Sequence, residues 1–232
     1  MHRTLIKFFY LNLFFVAPLL YSLEITTDGL LDEKEWSGAR EITKYYESLP
    51  FTLDDASGSQ KVLVLEDEKG IYFGFISYQD VETIRSQKHQ RDEEMANADM
   101  VGVSIDFDGD GLLSYGFSIS AGGSILDNVV RNENEMNYDW DADWGYGVTI
   151  GKDAWYAEMF IPWSVAPMKA QTGDKRKVKL SFYRWLRGEF KVYTTIKGNP
   201  RTEKFISIFL SLIHISEPTR PRLISYAVFC LK

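Results

Sequence analysis

Glu24-Ile25-Thr26-Thr27-Asp28-Gly29-Leu30-Leu31-Asp32-Glu33-Lys34-Glu35-Trp36 is the stretch on which the reading of this chain turns. It has the punctuation of a short strand, a reversal at Gly29, and a helical turn ending on Trp36. In that turn Asp32 is placed to cap the free N–H groups while Glu35 reaches back. Trp36 admits two readings, a core anchor that seals one end of the domain or an exposed aromatic platform. The large apolar area of an indole favours the first.

Outward from that segment, the hydrophobic patches are short, aromatic and β-branched, and turn residues separate them at intervals of about ten residues. This spacing predicts an all-β fold, an antiparallel β-sandwich. Residues 61–66 and 71–78 form a hairpin closed by Asp67-Glu68-Lys69-Gly70. Further strands are predicted at 100–107, 115–120, 124–129, 147–150, 154–161, 178–185 and 190–196. The stretches 85–98 and 131–137, rich in Glu, Gln and Asn, are expected as exposed loops or short helices.

The two ends differ from this body. His2, Arg3 and Lys7 followed by an apolar run over 8–21 resemble a signal peptide cleaved after Ser22, which implies an exported protein, periplasmic, outer-membrane associated or secreted. The sandwich domain is expected over 23–209. From 210 the text LSLIHISEPTRPRLISYAVFCLK breaks the alternation and resembles a translated sequencing adapter, so it is set aside from the fold. It carries Cys230, the single cysteine in 232 residues, so the domain must be held by its core and not by disulfides. A formal net charge of -7 argues against nucleic acid as a partner, because phosphate binding needs clustered Lys and Arg.

Several motifs in the body are similar to family 9 carbohydrate-binding modules. Besides the opening segment, these are Lys61-Val62-Leu63-Val64-Leu65 with Gly70-Ile71-Tyr72-Phe73-Gly74-Phe75, and Asp99-Met100-Val101-Gly102-Val103-Ser104-Ile105-Asp106. They continue with Tyr115-Gly116-Phe117, Gly122-Gly123, the pair Trp140 and Trp144, and Trp155-Tyr156-Ala157-Glu158-Met159-Phe160-Ile161-Pro162-Trp163. No one match is specific; their order and spacing over about 25–183 carry the resemblance. The version that fronts outer-membrane β-barrel proteins of unknown function is the more similar one. The resemblance implies a non-catalytic module that binds an oligo- or polysaccharide, within a larger polysaccharide-degrading or outer-membrane protein. It also implies calcium as a cofactor and a β-barrel as a partner. A structural adaptor that packs on a barrel, and a glycoside hydrolase acting on O-glycosyl bonds, are the competing readings.

Two constellations could carry that chemistry. Tyr138-Asp139-Trp140-Asp141-Ala142-Asp143-Trp144-Gly145-Tyr146 interleaves aromatics with carboxylates. Sugar rings offer apolar CH faces that stack on indole and hydroxyls that need acceptors at the ring edge. Tyr138, Trp140 and Trp144, with Asp141 and Asp143 as acceptors, are therefore the candidate carbohydrate-binding residues. The alternative places Trp144 in the core and leaves Trp140 or Tyr138 exposed. The second constellation, Asp106-Phe107-Asp108-Gly109-Asp110-Gly111, has the alternating acids of an oxygen-rich calcium loop. Asp106, Asp108 and Asp110 are the candidate metal ligands, with Asp99, Asp127 or main chain completing the set. The position of the closing EF-hand glutamate falls at Phe117, so this is not an EF-hand; a plain acidic hairpin turn is the competing reading.

Signatures of catalysis are absent from the sequence. There is no Gly-x-Ser-x-Gly elbow, zinc-binding His pair or phosphate-cradling loop. His89 is expected as a solvated surface residue. A glycosidase needs only two carboxylates, and Glu158 stands mid-strand among apolar residues. There it is expected to be a buried partner of Arg184.

Overall fold

The computed structural model describes residues 23–93, 96–170, 175–198 and 204–216. The expected signal segment 1–22 and the end of the tail, 217–232, lie outside the described residues. The strands, in chain order, are β1 (Arg40–Ile42), β2 (Tyr46–Leu49), β3 (Gln60–Glu66), β4 (Gly70–Tyr78), β5 (Met100–Asp106), β6 (Leu113–Ser120) and β7 (Ile125–Arg131). They continue with β8 (Glu135–Asn137), β9 (Gly145–Ile150), β10 (Ala154–Pro162), β11 (Lys175–Leu186), β12 (Lys191–Thr194) and β13 (Leu210–Ser216). Among the described residues they form a five-stranded sheet in the order β1-β3-β4-β10-β9. Against it lies an eight-stranded sheet, β2-β12-β11-β5-β6-β7-β8, with β13 joined to β11. All pairings are antiparallel. The expected antiparallel sandwich is the observed fold.

Period-two alternation explains the core. Val62 and Val64 on β3, Phe73 and Phe75 on β4, and Ala157, Met159 and Ile161 on β10 point inward to meet Val101, Val103 and Ile105 on β5, Phe117 on β6 and Phe182 on β11. The Phe182 ring lies edge-on to Phe73 and Phe75, with centroids 5.5 and 6.1 Å away. The same parity sends Leu63, Leu65 and Tyr72 to the outer face of the smaller sheet. There they are covered by Leu23, Ile25, Leu31 and Trp36. This explains why β4 is buried along nearly its whole length and why its sequence shows a continuous apolar run.

The opening segment is therefore a strap across the smaller sheet, and Trp36, 6% exposed, is its anchor. Removing an indole so buried costs roughly 3 to 5 kcal/mol on the scale of large-to-small core substitutions. The strap is fastened by Glu158, an outward-facing residue of β10 with no exposed surface. Its carboxylate accepts from the backbone N–H of Asp28 (2.9 Å) and Gly29 (2.7 Å) and from the indole N–H of Trp36 (3.1 Å). Gly29 has φ +86°, and a Cβ there would fall 2.7 Å from the backbone of Val148 and Thr149, so only glycine lets the strap lie this close.

Two expectations are corrected here. The turn after the strap is a short 3-10 helix, Lys34–Gly38, with no side-chain cap. Glu33, not Asp32, does the local work, accepting from the Thr26 N–H (2.8 Å) and the Trp36 indole (3.2 Å), and Glu35 lies 3.8 Å from Lys34. A one-residue shift between 3-10 and α geometry moves the side chain that faces the strap. Glu158 is not the partner of Arg184 either, because the two face opposite sides of their sheets. Arg184, also without exposed surface, donates to the carbonyls of Ser59 and Tyr78 and to Gln79 Oε1.

The strands β1, β2 and β8 are too short and too polar to show a period. The stretch 131–137, expected as a loop or short helix, instead contains β8, whose Asn137, Met136 and Glu135 pair with Val129, Val130 and Arg131. Past 209, the backbone of Leu210–Ser216 pairs with the Lys175–Leu180 half of β11.

Two outcomes are expected from the strap. Burial, with the neighbouring Glu33 charge, pushes Glu158 up to about 7. A carboxyl whose folded value is raised stabilises the fold fully below its unfolded value, and that contribution is lost as pH rises through about 7. Thermal unfolding from pH 4.5 to 8 should therefore show a decline in Tm that is absent from Glu158→Gln; equal slopes in the two proteins would disprove the coupling. Gly29→Ala should cost on the order of 1 to 3 kcal/mol in urea unfolding, since it forces a Cβ into a positive-φ site against backbone.

Candidate functional site

The aromatic loop joins β8 of the larger sheet to β9 of the smaller one, so it crosses the open side of the sandwich. It is organised by Asp127 on β7, which has no exposed surface. One of its oxygens accepts from the Ala142 N–H (3.0 Å) and the Trp144 indole N–H (3.1 Å), and Arg91 Nη2 meets both oxygens at 3.0 and 2.7 Å. Arg91 also reaches Asp141 (2.9 Å), Asp92 (3.5 Å) and the carbonyl of Ala142 (3.0 Å). One guanidinium thus ties the 85–98 loop to the aromatic loop. Asp92, Asp127 and Asp141 are the carboxylates whose oxygens converge among the described residues, and Arg91 lies among them. Burial, together with the Asp127 charge, pushes the Asp92 carboxyl up.

Within this frame the expected sugar-contacting residues separate. Trp144 is 6% exposed, edge-on to Phe117, and supports the loop from beneath. Trp140 is half-buried, with its ring tilted on Tyr115 at 4.9 Å and edge-on to Phe117 at 5.9 Å. Tyr138 is half-buried with its hydroxyl 3.3 Å from the sulfur of Met136, and Asp139, Asp141 and Asp143 are exposed. Aromatic surface and carboxylate acceptors therefore share one rim.

Sequence reasoning missed the outer face of the larger sheet beside Tyr138. Alternation with the inward Leu180, Phe182 and Arg184 sends Tyr183 and Trp185 outward. Tyr183 lies across Gly102, where a Cβ would fall 2.4 Å from the phenol ring, and donates to Ser118 Oγ at 2.7 Å. Asn128 lies over Gly116 in the same way. Its Oδ1 and the indole N–H of Trp185 are buried with no protein partner among the described residues, while Arg187 stacks on Trp185 at 4.5 Å. Burial raises the Tyr183 hydroxyl well above the usual phenol range, and Tyr138 is near enough to add to it. Small residues floor this face and aromatics wall it, and both signals were present in the alternation of β5, β6 and β11.

The candidate metal ligands form a turn whose acids all have protein partners. Asp106 accepts from the N–H groups of Gly109 (2.7 Å) and Gly111 (2.8 Å), Asp108 pairs with Arg176 (2.7 Å), and Asp110 with Lys169 (2.5 Å). The Lys169 ammonium holds the Asp110 carboxyl below its usual range. A calcium ion at these residues would have to take the places of Arg176 and Lys169. Asp99 accepts from Gln79 and from the N–H groups of Arg85 and Arg187, so both it and Asp127 are occupied.

No family model and no curated protein matches the sequence. Solved structures do match the fold. A protein of Bacteroides uniformis proposed to bind carbohydrate aligns at 12% identity over 75% of this chain and 86% of its own, with TM-score 0.57. A family 9 carbohydrate-binding module from Caldicellulosiruptor kristjanssonii, in complex with cellotriose, aligns at 12% identity over 82% of this chain and 88% of its own, with TM-score 0.54. A family 9 module of the same organism in complex with glucose aligns at 15% identity over 88% of this chain and 96% of its own, with TM-score 0.50. This chain has the sandwich fold of those modules.

Proposed function

We propose that this protein is a non-catalytic carbohydrate-binding module that holds an oligosaccharide on the rim formed by Tyr138 and the open part of Trp140. Asp141 and Asp143 would accept its hydroxyls, and Trp144 would back the loop from inside. The observation that carries this reading is the aromatic and carboxylate rim held in place by Arg91 and Asp127. Preorganised loops suit weak polar ligands because little ordering is left to be done on binding. The fold shared with modules solved with cellotriose and glucose adds support. Glu158, the acid most suggestive of catalysis, is closed under the strap and faces no solvent. We further infer export and a place at the front of a larger polysaccharide-degrading or outer-membrane protein, with residues from 210 foreign to it. An independent genomic read past Phe209 checks that inference, and SLIHISEPTRP in frame would overturn it.

A glycan array followed by calorimetry with cellotriose is the direct test. Trp140→Ala should weaken binding by roughly 1 to 3 kcal/mol while the protein stays folded. If the substitution unfolds the protein and a milder Trp140→Phe binds as wild type, Trp140 is a core residue only. Arg91→Ala leaves the buried Asp127 with neutral donors alone; it should speed amide exchange at Ala142 and lower glycan affinity together. Calcium belongs to the same proposal, through Asp106, Asp108 and Asp110. If it binds there, adding calcium to chelated protein should release heat and raise Tm, and Asp108→Asn with Asp110→Asn should abolish both. Neither heat nor shift would mean that the three acids serve the turn and its ion pairs.

A further inference from the structure

The turn between β3 and β4 holds an acid without a cation. Asp67 Oδ1 closes the turn itself, accepting from the N–H groups of Lys69 (2.8 Å) and Gly70 (3.1 Å), and the Asp67 carbonyl accepts from the indole N–H of Trp163 (2.9 Å). These donors belong to the sandwich body, so the place of the carboxylate does not depend on the strap. Its second oxygen, Oδ2, accepts from the Tyr72 hydroxyl at 3.4 Å. Burial, together with the Asp67 charge, pushes that hydroxyl up to about 12, so the phenol donates but supplies no charge. No Lys or Arg pairs with Asp67 among the described residues.

Oδ2 also accepts from the backbone nitrogen of Leu23, 3.0 Å away. The Leu23 side chain packs on the apolar cluster of Trp36, Leu63 and Tyr72, so this end of the strap is positioned by its side chain as well as by its nitrogen. Leu23 is also the residue that follows Ser22, where the sequence reading places cleavage of the export signal. Hydrolysis of that peptide bond adds one water, leaves a carboxylate on Ser22 and releases the Leu23 nitrogen as an α-amine. An α-amino group ordinarily titrates at about 7.7 to 8.0, so at neutral pH the new terminus takes up a proton and carries the positive charge that Asp67 lacks.

We propose that Asp67 is the docking site of the mature amino terminus, where removal of residues 1–22 converts an amide–carboxylate contact into an ion pair that fastens the free end of the strap. The inference goes beyond the carbohydrate reading and rests on the export reading alone. Glu158 holds the middle of the strap through neutral donors in either form. The charge at Asp67 therefore distinguishes the processed protein from its precursor. Leu23 and Asp67 are both half-buried, which shields the pair from part of the screening that weakens surface ion pairs.

The test begins with the full chain exported from a bacterial host, its amino-terminal residue read by mass spectrometry; Leu23 is expected. The processed protein is then compared with the same chain carrying Gly-Ser before Leu23, which replaces the ammonium by an amide. The extension should lower Tm by about 2 to 4 °C in the wild type and leave it unchanged in Asp67→Asn. At pH 7 the Leu23 amine should react with an acylating reagent about threefold to tenfold more slowly than in processed Asp67→Asn, because the facing carboxylate favours the protonated form. Asp67→Ser, which can still close the turn, serves if the Asn variant does not fold. A mature protein that begins elsewhere would overturn the proposal together with cleavage after Ser22. A Leu23 terminus of equal reactivity, with an extension that costs the same in both backgrounds, would overturn the docking and leave export standing.

Discussion

A carboxylate taken out of water must be met by donors or give up its charge, and the strap depends on how Glu158 meets that demand. Its three donors all come from the strap, so the acid can be buried only when the strap lies down. The strap in turn covers the outer face of the smaller sheet, where Leu63 and Tyr72 would otherwise face water. The hydrophobic gain and the hydrogen bonds are thus one cooperative event. Gly29 and Gly147 are what make it sterically possible, since a Cβ on either would strike the opposing backbone.

The same device recurs at three further places. Asp127 gathers Ala142, Trp144 and Arg91; Asp99 gathers Gln79, Arg85 and Arg187; Asp106 closes its own turn on Gly109 and Gly111. Each acid is buried and accepts from at least one main-chain N–H of a loop that the sheets leave unsatisfied. A surface ion pair would be worth little for this purpose. These buried, charge-assisted bonds fix loops in one geometry, which a shallow polar binding site requires.

The functional residues follow from that division of labour. Trp144 and Trp140 look equivalent in the sequence, four residues apart in one acidic loop. Asp127 separates them by drawing the Trp144 N–H inward, so that one tryptophan is structural and the other reaches the rim. Glu158 and Arg184 show the converse. Each looks like half of a buried ion pair, yet strand parity places them on opposite sides, and each finds neutral partners.

The positions of β3 to β7 and β9 to β12 along the chain, and the sandwich class, were legible because period-two burial is a local property of side-chain alternation. The anchoring of Trp36 was legible for the same reason, as an indole has few stable places other than a core. The partners of the buried acids were not, because Glu158 meets Gly29 across 129 positions and Asp127 meets Arg91 across 36, and no local pattern encodes such encounters. Nor did sequence show that Tyr183, Trp185 and Asn128 share a face with Tyr138. Those juxtapositions arise only when the sheets curl and the loops dock, so the sequence determined which residues could bury or bind, and the tertiary structure decided which of them do.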